Sequence, residues 1–325
     1  MKFVPVSTLR SAASPIAFMR TDLRDHSDFR TINLLGLNLS TTAPERAAAY
    51  IVEKARWGSA MTVNFVNAHC VNMARSKPSY RRLLKESDVL LPDGIGIEIA
   101  AKWSGCEKPE NLNGTDLFPR ICERAAIDGA GLFFLGGLPG VSDAAAAWAC
   151  ANWPSLRISG TQHGFFDPAE EEALVERINR SGAAILFVGL GVPLQEEWIA
   201  RNRHRLEVPV VLGVGGLFDY YSGRIARAPA PVRAVRCEWA WRLAMEPRRM
   251  AKRYLLGNAI FLVYAAIEAA NQRGIAELAG RGAKRASDTL IAVLALIALL
   301  PVFLVTALAI KLEDSGPVFF RQNRI

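Results

Sequence analysis

The chain has 325 residues, 51% of them hydrophobic and 22% charged, with a formal net charge of +8. That length exceeds one average domain, and the apolar share excludes a disordered polar chain while leaving material beyond a single core. The five cysteines, Cys70, Cys106, Cys122, Cys150 and Cys237, stand without CxxC pairs or nearby histidines, which argues against a disulfide framework and against structural zinc.

Residues 1–30 alternate apolar and polar positions after Lys2 and lack the apolar run of a secretory signal, so a loosely ordered N-terminus is expected. From 31 to 230, short apolar runs recur with helical intervals between them. Strands are expected at Met61–Val66, Val89–Leu91, Leu132–Leu135, Ala184–Val188 and Val208–Val214, and helices at Pro44–Arg56, Thr115–Ile127, Asp143–Ala151, Ala169–Arg180 and Pro193–Arg205. Strands apolar on both faces and alternating with helices predict an α/β fold, a Rossmann-like, mostly parallel sheet with helices on both faces. Each run ends in polar or glycine-rich residues, and in a parallel sheet these tails emerge together at the carboxyl edge, where open α/β folds bind ligands.

The tails carry the candidate site in chain order. Asn67 follows the first run and can hydrogen-bond a sugar or acceptor, whereas the nearby His69 reads as a structural histidine. Asp93, in LLPDGIG, suits a general base that takes the proton of an attacking hydroxyl, and equally suits an N-cap for a helix through Ala101. In NGTDL, Thr115 or Asp116 can cap the helix that begins there. Gly136 and Gly137 close FFLGG, a strand-turn-helix that can bring backbone N–H groups to a phosphate. In GLGVPLQEEW, Gly189 and Gly191 permit close approach and Gln195 faces the crevice from the first helical turn. GVGGLFDYYSGRIARAP adds Gly215, Phe218, Asp219 and Arg227, with Phe218 suited to a uracil ring or to the core.

Residues 231–271 form a basic helical appendage. Nine Lys/Arg against two Glu lie between 224 and 253, which favours a phosphate-rich partner or an anionic membrane surface. On one continuous helix through EWAWRLAMEPRRMAKRY, Arg242, Glu246, Arg249 and Arg253 would share a face able to grip a lipid diphosphate, with Trp239 and Trp241 at the lipid interface. No helix-turn-helix or stacking platform accompanies these charges, so nucleic acid is not expected as a partner. A linker at 272–289 leads to 290–310, a membrane segment uncharged throughout and interrupted by Pro301, and then to a tail at 311–325. A re-entrant hairpin and a full crossing both fit the charges at its two ends.

These motifs, in this order and over roughly residues 32–255, resemble the WecG/TagA/CpsF family of bacterial glycosyltransferases. The resemblance implies an inverting, metal-independent hexosyltransferase without cofactor. It would carry a hexose or N-acetylhexosamine from a UDP-sugar to a polyprenyl-diphosphate-linked saccharide for exopolysaccharide, capsule or cell-wall polymer, at the cytoplasmic face of the membrane. A homo-oligomer is compatible with it. The family's catalytic aspartate falls on Asp93, its pocket motifs on Thr115, Asp116, Gly136, Gly137 and Gln195, and Phe65 stands where the family usually has threonine. From Lys284 the sequence is similar to the start of polyprenyl-phosphate sugar-1-phosphate transferases, which continue past the FFRQ motif, whereas this sequence ends at Ile325. That second enzyme class, and a non-catalytic membrane-tethered nucleotide-binding protein, are the alternatives.

Overall fold

The computed structural model describes residues 29–273 apart from 235, together with five helical positions between 289 and 300. The expected N-terminal stretch to residue 28, most of the linker and of the membrane segment, and the 311–325 tail lie outside the described residues.

A short antiparallel hairpin, β1 (Arg30–Leu34) and β2 (Leu37–Thr41), precedes α1 (Pro44–Arg56), whose first turn carries Pro44, where a missing N–H costs nothing. Then follow β3 (Met61–Val66), α2 (Ala68–Ser76), α3 (Pro78–Lys85), β4 (Val89–Pro92), α4 (Ile95–Trp103), α5 (Gly114–Asp128), β5 (Leu132–Gly136) and α6 (Val141–Asn152). The second half adds β6 (Ile158–Gln162), α7 (Glu171–Arg180), β7 (Ile185–Gly189), α8 (Leu194–Asn202), β8 (Val210–Gly213) and α9 (Leu217–Tyr221). The appendage comprises α10 (Ala230–Ala234), α11 (Glu238–Met245), α12 (Pro247–Ala251), a π-turn at Lys252–Leu256 and α13 (Gly257–Arg273).

Six strands form one parallel sheet in the order β4-β3-β8-β7-β5-β6. The strands β3, β4, β5 and β8 are buried along their whole length, as an apolar run covered on both faces must be. One layer, with α1, α5, α6 and α9, packs around Phe118, Phe134, Phe187 and Phe218; the other splits into a cluster under α2, α3 and α4 and one under α7 and α8. The chain builds β3 and β4 outward and crosses to β5 and β6. It then returns through β7 to lay β8 against β3, so direction reverses between β3 and β8. A crevice opens at that reversal, outside the carboxyl ends of the strands.

The α/β expectation and its five strands match this sheet. The hairpin, β6, α2 and α3 were absent from the sequence reading; β6 (ISGTQ) is a half-buried edge strand without an apolar run to reveal it. The continuous helix expected through residue 254 is broken at Glu246, whose backbone leaves the helical region because Pro247 follows it. Among the described residues, Pro247–Gln272 is a helical stretch long and apolar enough to cross a membrane by length and composition. One of its faces, with Phe261, Ala265 and Ala269, is buried on α2 and α4, while Leu256, Ile260 and Ile267 are exposed.

Candidate active site

A cavity of about 430 Å³ lies over the carboxyl ends of β4, β3 and β8 and under α10–α13. The size falls in the usual range for small-molecule sites. Its floor begins at Asp93. The β-bridge ends with Asp93 N–H donating to Val66 O at 2.9 Å, and Gly94 then turns with φ +88°, a conformation closed to most side chains, before α4 begins. Gly94, not Asp93, is therefore the N-cap, and its N–H donates to Asn111 Oδ1 at 2.8 Å. The Asp93 carboxylate is left to face the cavity, and Asn67 Nδ2 donates to its Oδ2 at 3.1 Å.

Asn67 uses both ends of its amide. Its Oδ1 accepts the His69 and Cys70 N–H groups and caps α2, which turns Nδ2 toward Asp93 and fixes the relation between two neighbouring strand ends. Burial raises the Asp93 carboxyl above its ordinary value, against the opposing pull of the Asn67 hydrogen bond and the Arg253 charge. A carboxylate so held is a stronger base than one in water. His69 lines the same wall, and burial, seconded by Arg253, lowers it to about 4, so the ring is neutral at physiological pH.

Across the cavity, α5 is capped by Asn113, not by Thr115 or Asp116 as the sequence suggested: Asn113 Oδ1 accepts from Asp116 N at 2.8 Å, and its Nδ2 returns a bond to Asp116 Oδ2 at 2.7 Å. Asp116 also pairs with Arg227 at 2.5 Å. Burial acts to raise its carboxyl, but the Arg227 and Asn113 hydrogen bonds outweigh it and hold it below its usual value. Arg227 pairs in addition with Glu238 at 3.3 Å, so its side chain ties α5 to the appendage from behind the cavity wall. Thr115 lines the cavity, and its carbonyl accepts the Tyr221 hydroxyl at 2.5 Å.

The appendage roofs the site with Arg233, Arg236, Trp239, Arg242, Arg249 and Arg253. Glu246, at the helix break, pairs with Arg249 at 2.8 Å and approaches Arg242 at 3.6 Å, so the charged stripe survives although the helix does not. The Arg242 guanidinium lies 5.2 Å from the Tyr220 ring centroid and within 3.3 Å of its hydroxyl. Burial works to lower it, and Tyr220, Tyr254 and Glu246 more than compensate, keeping the guanidinium charged. The Nε atoms of Arg242 and Arg253 are buried without a hydrogen-bond partner. Trp239 packs on Tyr254 with ring centroids 6.1 Å apart, and Trp241 donates its indole N–H to Ala226 O at 3.0 Å.

Several expected contacts lie elsewhere. Phe218 is 1% exposed and packs on Phe134 at 5.2 Å between centroids, which leaves no ring face for a base and corrects the uracil reading. Gly136 and Gly137 do not reach the cavity, because β5 lies beyond β7; a Cβ at Gly136 would lie within 2.6 Å of the Gly189 carbonyl carbon, and one at Gly189 would lie 2.9 Å from Gly215 O. These glycines serve close packing of strand ends. Asp219 is buried behind the wall and pairs with Arg224 at 2.9 Å. Gly191, Gln195 and Gly215 line the cavity as expected from their motifs. Six further residues line the cavity without being singled out by the sequence: Tyr220, Glu238 and Tyr254 lie inside the quoted motifs, Arg233 and Arg236 within the basic cluster, and Asn111 two residues before the Asn113 cap.

Among the described residues, no group of three or more His, Cys, Asp or Glu side chains is placed to share a metal ion. Residues 32–274 match the family model of the glycosyl transferase WecG/TagA/CpsF family. The chain belongs to that family. As a WecG/TagA/CpsF glycosyltransferase it is a sugar transferase of polymer synthesis, and the family implies a sugar donor and a lipid-linked acceptor. Residues 279–325 match the bacterial sugar transferase model, and that match, with the apolar helix of the appendage, points to association with a membrane.

Proposed function

We infer that this glycosyltransferase moves a hexose or N-acetylhexosamine from a UDP-sugar to a saccharide carried on polyprenyl diphosphate, at the cytoplasmic face of the membrane, with inversion at the anomeric carbon. The observation that carries the reading is the pairing of one buried-edge carboxylate, Asp93, with a roof of arginines across a cavity of about 430 Å³. In the proposed step the acceptor hydroxyl gives its proton to Asp93 as its oxygen bonds to the anomeric carbon. The bond from that carbon to the donor phosphate breaks, and UDP leaves with the electron pair. Asn67 holds the carboxylate in place, and Arg242 and Arg253 stabilise the charge that develops on the departing diphosphate. Arg249, more exposed, meets the acceptor's own diphosphate.

The test is incubation of the full chain with UDP-sugars and a polyprenyl-diphosphate-GlcNAc acceptor, with products read by mass. Transfer with release of UDP supports the reading. Release of UMP instead, with sugar phosphate appearing on polyprenyl phosphate, supports the second one, a sugar-1-phosphate transferase, which the match at 279–325 favours.

A further inference from the structure

One wall of the cavity rests on a buried side chain. Gln195, 3% exposed, accepts the Gly215 N–H at Oε1 over 2.7 Å, while its Nε2 donates to Glu196 Oε1 over 3.0 Å. An amide has one accepting and one donating end, so the Gly215 N–H and the Glu196 oxygen together fix which way it points. The fit leaves no slack, since a Cβ at Gly213 would lie 3.0 Å from Gln195 Nε2. Glu196 itself does not line the cavity. It is 2% exposed and lies beneath it on α8, beside the Tyr80 hydroxyl of α3 and Cys70 of α2. A carboxyl sealed in such a place is costly unless it is hydrogen-bonded or protonated, and the transfer step described above makes no use of it. Burial pushes it up to about 7, so a protonated, uncharged side chain is well populated there, and a glutamine is its close mimic.

We propose that Glu196 is a positioning residue: by accepting from Gln195 it locks that amide in the one orientation that holds the Gly215 N–H, and so keeps the Gly213–Gly216 turn in the form that borders the nucleotide. The nucleotide rests on the functional reading above; the hydrogen-bond chain does not. Without the Glu196 oxygen, Nε2 has no partner, the amide is free to rotate, and a donor then meets the Gly215 N–H where an acceptor stood.

Two measurements on the full chain test this: hydrogen–deuterium exchange of the Gly215 amide, and UDP affinity by calorimetry. Glu196→Leu removes the acceptor, and Glu196→Gln keeps one. The leucine variant is expected to exchange at Gly215 about tenfold faster and to bind UDP about tenfold more weakly, the loss of roughly one hydrogen bond. The glutamine variant is expected to stay within about twofold of wild type in both, a rescue that a purely space-filling role for Glu196 would not give. Unchanged Gly215 exchange in the leucine variant overturns the proposal, as does equal impairment in the glutamine variant. If Glu196→Leu loses its cooperative melt, Glu196→Met replaces it, and failure of both to fold also overturns the proposal, since the residue then serves the fold at large. If wild type does not bind UDP, the nucleotide reading falls while the exchange comparison still decides the relay.

Discussion

The two sides of the cavity differ in how the polar groups that line it are satisfied. On the sheet side, Asn67, Asp93, Asn111 and Gln195 all have hydrogen-bond partners within the fold. On the appendage side, Arg253 Nε is buried with none, and Arg242 Nε has only the Glu246 carboxylate, 3.6 Å away. The sheet side is built by strand ends whose positions the core dictates, so its geometry exists before any ligand arrives. The appendage side carries donors whose natural partner is an anion, and an orphaned buried donor is destabilising by about 1–3 kcal/mol until one is supplied. Such a division suits a reaction in which a base must be aimed in advance and charge develops late.

The sharpest way to break this comparison is to remove the proposed base. Asp93→Asn is expected to lower turnover by about 10²–10⁴-fold while UDP binding by calorimetry stays near wild type; near-normal turnover would take Asp93 out of the reaction. Next come the arginines. Arg242→Gln or Arg253→Gln should lower kcat/KM by about 10²–10³-fold, the usual loss of one donor at a developing charge, with little change in melting temperature. Arg253→Gln carries a second signature. Because Arg253 pulls Asp93 down, its loss should move the acid limb of the rate–pH profile to higher pH, and a limb that does not move would separate the two residues.

Glu196 on the sheet side gives a prediction about stability instead of rate. Its folded value of about 7 stands above the ordinary 4.5, so the folded protein binds more protons than the unfolded chain between those two pH values. The Glu196 contribution to stability is therefore fully present below about 4.5 and is lost as pH rises toward 7, by about 3 kcal/mol at 1.36 kcal/mol per unit. Denaturant unfolding across that range should show this slope in wild type and a flatter one in Glu196→Gln. The smallest effect is expected at Phe218. Phe218→Leu should lower stability by about 1–2 kcal/mol through lost core packing and leave the KM for donor within about twofold; a large KM change would return the ring to the binding site.

Legibility in the sequence followed the kind of signal each residue carried. The strands β3, β4, β5, β7 and β8 were readable because a buried parallel strand is an unbroken apolar run. Asp93 was readable because it stands at the end of one such run, before Gly94. Its N-cap reading failed for a reason no spacing reveals: the cap position fell to Gly94, whose φ of +88° turns the chain one residue later. Likewise FFLGG has the local pattern of a phosphate turn, yet Gly136 ends up against Gly189, because β5 takes a place beyond β7. Phe218 looked equally fit for a ring slot or the core, and only the packing of α9 on β5 put it inside.

What the sequence determined by itself was the set of local elements, the basic character of the appendage and the family to which the chain belongs, because periodicity, composition and short motifs are properties of neighbours along the chain. The tertiary structure alone decided which strand ends share a cavity, that Asn67 reaches Asp93, that Gln195 holds Gly215 and that Arg242 and Arg253 overhang the floor. Those facts depend on strand order and on a helix broken at Pro247, which bring Asp93 and Arg253, about 160 positions apart, within reach of one another, and no local pattern encodes such distances.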